Sequence, residues 1–395
     1  MKKRLLSLFL TMGLTASLLA GCGSNDAGNA GDSNTDAAKE ETAENADSSE
    51  AESSDEGGIQ VGIVLPTKDE PRWLQDQAQF EAILGDAGFT NQVLFSQGSS
   101  ATEKTNVETL ISKGIKVLII CPQDATAAAA AVEEAKAAGV TVISYDRLIT
   151  DTEAVDYYTT FDSFSVGVAQ GQYLIDNAKG TGVPLYIYTG AATDNNAFIF
   201  FEGAWSVLEP KVKDGTFVIA NSEKAAGFVG AGELSRDDEG EILGQTTTNW
   251  DFDTAKKLAE ANLTAASAEQ KGDVAILAPN DGTARAIADT FAADADIKSY
   301  IITGQDSEQA SVQYVIDGKQ SMTVFKDTRT LAADSVAMAL AVLNGEEVET
   351  TTTYNNGKID VPAKQTDIVV VTKDNVQSAL IDSEYYSASD FTGLE

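Results

Sequence analysis

The sequence predicts an α/β fold of two doubly wound lobes, each built around a parallel β-sheet. Short apolar strands alternate along the chain with capped helices of roughly 10 to 15 residues. Most of these strands lack the alternation of apolar and polar residues seen in half-exposed strands, which is typical of parallel sheets covered on both faces. The 395-residue chain holds too many strand–helix units for one ordinary sheet, so two lobes of about 150 residues each fit it better.

The elements of the first lobe are predicted in regular order. They are strand 59–65, helix 72–88, strand 92–95, helix 101–113, strand 116–121, an alanine-rich helix that ends at residue 139, and strand 140–145. Asp124 can cap the alanine-rich helix, while Gly114 and Gly139 can end the two helices that precede them. Strands that alternate with helices in this way indicate βαβ units.

The same rhythm begins again in the second half of the chain. The predicted elements are helix 164–178, strand 184–188, helix 196–212, strand 217–220, helix 253–265, strand 273–278, helix 283–293, strand 299–303, helix 309–316, strand 322–325, helix 331–343 and strand 368–372. Between them, the stretch 224–244 is rich in glycine and acidic residues and is predicted to be irregular. The tail after residue 372 is predicted to be polar.

The N-terminal residues predict export and lipidation. Three basic residues at 2–4 precede the mostly apolar run 5–19, which is too short for a comfortable membrane span and typical of a signal peptide. Small residues then lead directly into Cys22, as in the lipobox of bacterial lipoproteins. We therefore expect a signal peptide over 1–21 and an acylated Cys22 that anchors the chain durably.

Residues 22–58 are predicted to form a disordered acidic tether. From Gly23 to Gly58 the chain has eleven acidic residues, one lysine and no aromatic residue. Such a segment cannot bury enough apolar surface to offset the entropy lost on ordering. A solvated spacer between the anchor and the folded body is the simplest role for it.

The composition excludes several classes of function. A net charge of −34 argues against a nucleic-acid partner, because phosphates require a basic surface. The absence of histidine removes Ser-His-Asp chemistry, Cys-His chemistry and His-ligated metals. Cys121 is the second of two cysteines and lies in an apolar strand, where it is predicted to fill the core.

The candidate site lies where the predicted strands end, since ligands of open α/β sheets bind at the carboxyl ends of the strands. The side chains found there are Lys68, Arg72, Trp73, Gln123, Asp124, Asp146, Arg147, Asp194, Asn195, Asn196, Trp250, Asn280, Asp281, Gln305, Asp306 and Lys326. Carboxylates and amides bond sugar hydroxyls, cations donate to them, and indoles stack on the C–H faces of sugar rings. These loops therefore predict a sugar site.

Each of these residues also has a purely structural interpretation. Asp124 can simply cap a helix, and Asp146 with Arg147 can form a surface ion pair. Trp73 and Trp250 can be core residues. The Asn195–Asn196 pair can begin a helix, and Gln305 and Asp306 can brace a turn. Only the combination of these side chains points to a ligand.

Seven short segments together resemble the type I periplasmic sugar-binding proteins, in the xylose-binding and multiple-sugar-binding branch. They are PTKDEPRW (66–73), YDRLI (145–149), TFDSFSVG (160–167), TDNNA (193–197), PNDGTA (279–284), TGQDSE (303–308) and VFKDTR (324–329). The resemblance implies that a sugar is bound by Arg72, Trp73, Asp124, Asp146, Arg147, Asn195, Asn196, Trp250, Asp281 and Lys326. It implies no catalytic residue, no cofactor and no metal.

The resemblance also implies that the chain crosses between the lobes three times, which gives a three-strand hinge. We expect an N-terminal lobe of residues 59–160 and 326–365, and a C-terminal lobe of residues 161–325 and 366–395. The stretch 224–244 is longer than the resemblance leads one to expect.

The function that follows is capture without chemistry. The predicted protein is monomeric and lipid-anchored to the outer face of the cell membrane. It closes on a monosaccharide such as xylose, glucose or galactose and delivers the sugar to the permease and ATPase of an ABC importer. We therefore do not expect an enzyme.

The sequence bears on four alternative functions. A ligand carrier for a sugar sensor or chemoreceptor and a nucleoside- or autoinducer-binding relative both remain open. A two-carboxylate glycosidase cannot be excluded by motif, although the dinucleotide, phosphate-loop and nucleophile-elbow motifs are absent from the sequence. A sugar-responsive transcription regulator would need a basic DNA-binding helix pair where residues 1–58 stand, so the sequence excludes it.

Overall fold

The computed structural model describes residues 58–394. The predicted signal peptide, Cys22 and all but the last residue of the predicted tether lie outside these residues. No helix within 58–394 is both long enough and apolar enough to cross a bilayer.

The helices and strands alternate nearly as the sequence predicts. The first part of the chain forms β1 Val61–Leu65, α1 Pro71–Asp86, β2 Asn91–Phe95, α2 Ser100–Ser112, β3 Val117–Ile120, α3 Ala129–Ala137, β4 Thr141–Tyr145 and β5 Tyr157–Phe161. The middle part forms α4 Ser163–Asn177, β6 Val183–Ile187, α5 Asn195–Lys213, β7 Phe217–Ile219, α6 Glu223–Gly227, α7 Arg236–Thr246, α8 Phe252–Ala265, β8 Gly272–Leu277, α9 Asp281–Ala293, β9 Ile297–Ile302 and α10 Gln309–Asp317. The last part forms β10 Thr323–Phe325, α11 Thr328–Asn344, β11 Thr352–Asn355, β12 Asp360–Thr366 and β13 Val369–Val371.

Local signals set the ends of several helices. The Ser99 side chain accepts from the amide of Thr102 and begins α2, and Asp162 caps α4 in the same way. Gly318 and Gly345 end α10 and α11 with φ values of 75° and 69°, a left-handed conformation that glycine adopts at little cost.

The first lobe is a seven-stranded sheet covered by helices on both faces. Its strand order is β11-β12-β5-β4-β3-β1-β2, and all neighbours are parallel except the pair β11 and β12. Leu110 of α2 and Val132 of α3 pack on one face. Phe80 of α1, Val336 of α11 and the buried Cys121 pack on the other. Burial of both faces explains why these strands read as continuous apolar runs.

The second lobe is a four-stranded parallel sheet in the order β7-β6-β8-β9. Leu174 of α4 and Leu208 of α5 pack on one face of it. Leu263 of α8 and Phe291 of α9 pack on the other face. The two doubly wound sheets confirm the predicted fold class.

The connections between the sheets lie side by side. The chain leaves the first sheet after β5, returns between β10 and α11, and leaves again between β12 and β13. Beside them, β10 and β13 pair as a short antiparallel ribbon. The residue limits of the two lobes stay a prediction.

Three expectations about local structure were wrong. The stretch 224–244 is not irregular, because it contains most of α6 and α7, and Ser235 and Asp238 form a capping box at the start of α7. The strands β5, β11 and β12 were not predicted as strands. The tail is not wholly polar either, since Leu380 and Phe391 are buried against α10.

Helices α4 and α5 cross so closely that only glycine fits at the contact. A Cβ on Gly203 would lie 2.1 Å from the carbonyl oxygen of Phe164, and one on Gly167 would lie 1.9 Å from that of Phe200. Because backbone atoms cannot swing away, a side chain here must push the helices apart.

Replacing Gly203 by alanine is therefore expected to lower the free energy of unfolding by about 1–3 kcal/mol. Urea unfolding followed by circular dichroism would measure it. The matched control is Gly244→Ala in α7, where a Cβ meets no atom within 4 Å and a gain of roughly 0.5–1 kcal/mol is expected. Equal stability of Gly203→Ala and the wild type would contradict the close crossing.

Candidate functional site

A small cavity lies between the two lobes, where the carboxyl ends of their strands face each other. It measures about 300 Å³, part of which is open solvent. The residues lining it are Glu70, Arg72, Trp73, Asp146, Arg147, Asp194, Asn196, Phe200, Trp250, Asn280, Gln305, Asp306 and Lys326. We call this space the inner cavity.

Arg72 is the centre of a buried ion network on one wall. It lies in the first turn of α1, and its guanidinium is 2.6 Å from Asp146 Oδ2, 3.4 Å from Asp76 Oδ2 and 3.7 Å from Asp306 Oδ1. The guanidinium carbon also lies 4.6 Å from the ring centre of Trp73. Three carboxylates around one cation fix its position before any ligand arrives.

Asp146 holds its carboxylate at the cavity in a strained backbone conformation. Its φ of 62° lies in the left-handed region that residues with a side chain rarely adopt, and such strain often marks functional sites. Burial alone would raise its pKa, but Arg72 and Lys326 outweigh burial and hold the pKa below its ordinary value. Within residues 58–394, no protein donor is bonded to Oδ1, so this oxygen can accept from a ligand.

Arg147 joins the two lobes across the cavity. Its Nε lies 2.8 Å from Oδ2 of Asp194, the N-cap of α5, and both side chains are buried. Burial alone would lower the pKa of Arg147, but the Asp194 carboxylate keeps that pKa above its ordinary value. Next to this pair, Asn196 Nδ2 donates to the backbone oxygen of Asp146 at 2.8 Å. The lobes are therefore in contact at the base of the cavity.

Two buried amide oxygens point into this region without a donor. They are Asn196 Oδ1 and Gln305 Oε1, on residues that are 3% and 1% exposed. Their amide nitrogens are occupied, by Asp146 and by the backbone oxygen of Pro279. Since buried polar atoms without partners are rare, these oxygens indicate a ligand that donates hydrogen bonds.

Lys326 reaches the inner cavity from the hinge and lies near Arg72, since both cations approach Oδ1 of Asp306. Its Nζ lies 2.8 Å from Asp306 Oδ1 and 5.6 Å from the ring centres of Phe161 and Phe200. The ammonium therefore has one carboxylate partner and keeps donor capacity for a ligand.

Trp250 forms an aromatic wall that the backbone holds in a strained position. Asn249 and Trp250 have φ values of 54° and 60°, and the indole packs edge-on against Phe200. Behind the indole, a Cβ on Gly190 would lie only 2.0 Å from the Trp250 ring. Thr247 Oγ1 also donates to the backbone oxygen of Gly190 at 2.7 Å, which ties the two segments together.

The structure brings seven of the ten predicted sugar-binding residues to the inner cavity: Arg72, Trp73, Asp146, Arg147, Asn196, Trp250 and Lys326. Asp124, Asn195 and Asp281 do not line it. Asp124 accepts from the amides of Thr126 and Ala127 and caps the turn before α3.

Asn195 and Asp281 are held elsewhere by protein partners. Asn195 accepts from Arg236 of α7 at 2.8 Å. Asp281 is fully buried and accepts from Gln320 Nε2 at 2.7 Å and Thr323 Oγ1 at 3.0 Å. It therefore braces the start of α9 against β10.

Six lining residues were not predicted as sugar ligands: Glu70, Asp194, Phe200, Asn280, Gln305 and Asp306. Four of them were already predicted at the ends of strands but were not assigned to the sugar: Asp194, Asn280, Gln305 and Asp306. Phe200 lies four residues after Asn196 and thus on the same face of α5. Glu70 directly precedes α1, and burial raises its pKa to about 7.

A second, wider space opens outward from the inner cavity. This outer cavity measures about 1500 Å³, part of which is open solvent. Both lobes line it, through residues such as Asp69 and Gln97 in the first and Phe252 and Arg285 in the second.

Known proteins with similar sequences and folds belong to one family. The model of the "Periplasmic binding protein domain" matches residues 61–347. The multiple sugar-binding periplasmic protein SbpA of Azospirillum brasilense is 36% identical over 341 residues, which cover 84% of this chain and 90% of that protein. The D-xylose-binding periplasmic protein of Escherichia coli is 29% identical over 332 residues, covering 84% and 92% respectively.

Solved structures agree with this grouping. The carbohydrate transporter solute binding protein from Chloroflexus aurantiacus, in complex with D-glucose, is 67% identical with a TM-score of 0.83. The match covers 85% of this chain and 98% of that one. An ABC transporter solute binding protein from Clostridium phytofermentans, with bound β-D-glucose, is 35% identical with a TM-score of 0.74, covering 84% and 99%. The resemblance predicted from the sequence is confirmed, and the chain belongs to the periplasmic binding protein family.

Proposed function

We propose that this chain captures a monosaccharide between its two lobes and delivers it to an ABC importer. The observation that carries the proposal is the inner cavity, where buried amide oxygens without donors lie beside fixed cations and carboxylates. Each sugar hydroxyl both donates and accepts, so it can satisfy both kinds of group. The sugar-binding relatives, among them proteins with bound D-glucose, support the same ligand class.

The side chains at the inner cavity divide the work of recognition. Asp146 Oδ1 and the oxygens of Asn196 and Gln305 accept from hydroxyls, while Arg147 and Lys326 donate. The indole of Trp250 supplies an apolar face for the C–H side of the ring. Asp124, Asn195 and Asp281, also predicted as ligands, would act through the loops that they brace.

Binding is coupled to closure because the ligand would touch both lobes. Asp146 and Arg147 belong to the first lobe, while Asn196 and Trp250 belong to the second. A sugar that bonds both sets stabilises the lobes together, whereas separated lobes offer only half of the site. The permease and ATPase of the importer would recognise the protein with its lobes closed.

We also propose that acylated Cys22 anchors the protein on the outer face of the membrane, where it works as a monomer. The family is a group of solute-binding proteins, so the chain is expected to return its sugar unchanged. A ligand carrier for a sensor or chemoreceptor would use the same pocket, and a nucleoside- or autoinducer-binding relative would use the same fold.

The lipid anchor is tested by metabolic labelling. Radiolabelled palmitate should be incorporated into the wild-type protein and not into Cys22→Ser.

Isothermal titration calorimetry on residues 23–395 tests the proposal. The sugars titrated are D-xylose, D-glucose, D-galactose, L-arabinose and D-ribose. Adenosine is titrated as well, to test the nucleoside alternative. Saturable one-to-one binding of at least one aldose, recovered unchanged by chromatography, is expected. If adenosine binds and no aldose does, the nucleoside alternative replaces this function.

A further inference from the structure

We infer that the outer cavity is a second saccharide subsite, so that the chain also takes a disaccharide whose first ring sits in the inner cavity. This inference rests on the proposed function and extends its ligand class from one sugar ring to two. It rests on the lining residues that the two spaces share, the chemistry of the outer walls and the aromatic ring at the mouth.

The inner and outer cavities adjoin each other. Glu70, Arg147, Trp250 and Asn280 line both of them. The outer space is also several times larger, at about 1500 Å³ against about 300 Å³. A single ring in the inner cavity would leave the outer space to water.

The walls of the outer cavity have the chemistry of a sugar site. From the first lobe, Asp69, Gln97 and Gln123 line the space. Within the described part of the chain, none of these three side chains bonds to another protein group. On the second lobe, Arg285 is held by Glu308 at 2.7 Å, and its guanidinium borders the cavity. Donors and acceptors therefore face the space from both sides.

An exposed aromatic ring continues the wall begun by Trp250. Phe252 lies two residues further along the chain and is 43% exposed at the mouth of the cavity. Trp250 at the inner end and Phe252 at the outer end give two successive platforms for sugar rings.

The two lobes already touch at the base of the space between them. Arg147 meets Asp194 at the base, and the Ala125 amide donates to the oxygen of Thr193 at 2.9 Å. Arg147 lines both cavities and pairs with Asp194 of the inner cavity, but within 58–394 no ion pair joins a side chain lining the outer cavity on one lobe to one lining it on the other. A ring placed there could be held by both lobes at once.

A steric block distinguishes the two subsites. Gly282 lines the outer cavity only, and a Cβ there makes ordinary contacts of 3.8 Å or more. Gly282→Phe should therefore place a bulky ring in the outer space without straining the backbone. The matched control is Gly244→Phe on α7, where a Cβ meets no atom within 4 Å.

Calorimetry would compare D-glucose, D-xylose, cellobiose, maltose and xylobiose on the wild type and both variants. We expect at least one disaccharide to bind the wild type, about tenfold or more weaker binding to Gly282→Phe, and at most threefold change for monosaccharides. Gly244→Phe should match the wild type throughout.

The outcomes separate this inference from the proposed function. Monosaccharide binding without any disaccharide binding overturns the second subsite and leaves the proposed function standing. Disaccharide binding that Gly282→Phe does not weaken places the second ring elsewhere and also overturns it. If no sugar binds at all, the proposed function fails and this inference fails with it.

Discussion

Replacing Arg147 by methionine is expected to weaken sugar binding about 100-fold or more. Methionine keeps much of the volume but removes the group that bonds Asp194 at 2.8 Å across the lobes. Asp194 is then left buried without its cation, and breaking such a pair costs about 3–5 kcal/mol. The substitution therefore removes both an ion pair between the lobes and a donor to the sugar.

Calorimetry with the preferred aldose would measure this loss, with circular dichroism to confirm that the variant is folded. Lys104→Met is the matched control, because this exposed lysine of α2 lines neither cavity and pairs only with the exposed Glu108 and Glu134 within residues 58–394. It is expected to leave affinity unchanged. Asp194→Asn should lose less than Arg147→Met, since it removes a charge but keeps an amide near the arginine. An Arg147→Met variant that is folded and binds within threefold of the wild type would contradict this role.

The fold was largely predictable because its strands are buried on both faces. The four strands β1 to β4 begin and end within two residues of their predicted limits, since apolar runs between turn residues define them well. By contrast, β12 is Asp360–Thr366 and contains a proline and several polar residues, so no apolar run marks it. Its partner β11 is mostly exposed.

Helix α7 was missed for a different reason. It is an exposed, acidic helix in which few side chains, among them Ile242 and Leu243, contact the core. Such a helix shows no apolar stripe in the sequence. Its capping box was a readable signal, since Ser235 is followed three residues later by Asp238.

The loops that form the candidate site were easier to predict than the contacts that each of their side chains makes. The loops after the strands contain most of the lining residues, because parallel strands end at the same edge of a sheet. The sequence could not show that Asp281 faces Gln320 and Thr323, which are about 40 residues away along the chain. Likewise, the sequence could not show that the Asp124 carboxylate accepts from the amide of Ala127 and caps its own turn instead of lining the cavity.

Gly190 does not face the ligand, but its replacement is also expected to weaken sugar binding strongly. Gly190→Ala is expected to weaken sugar binding roughly 10- to 100-fold, because its Cβ would lie 2.0 Å from the Trp250 ring and relieving such overpacking costs about 1–3 kcal/mol. The indole cannot retreat easily, since Thr247 and Thr248 bond the segment to the oxygens of Gly190 and Thr189. Trp250 must therefore turn towards the space that the sugar would occupy. Calorimetry and tryptophan fluorescence would follow the loss.

A double-mutant cycle tests whether Gly190 acts through Trp250. Trp250→Ala should itself weaken binding, and adding Gly190→Ala to it should cause no further loss, because the ring that the new methyl group displaces is gone. Two independent losses that add would instead mean that Gly190 supports the site by another route. Gly244→Ala serves again as the control, with open space around its Cβ, and should bind as the wild type. If Gly190→Ala alone binds like the wild type, the indole has room to shift, and the strained conformation at 249–250 does not fix the aromatic wall.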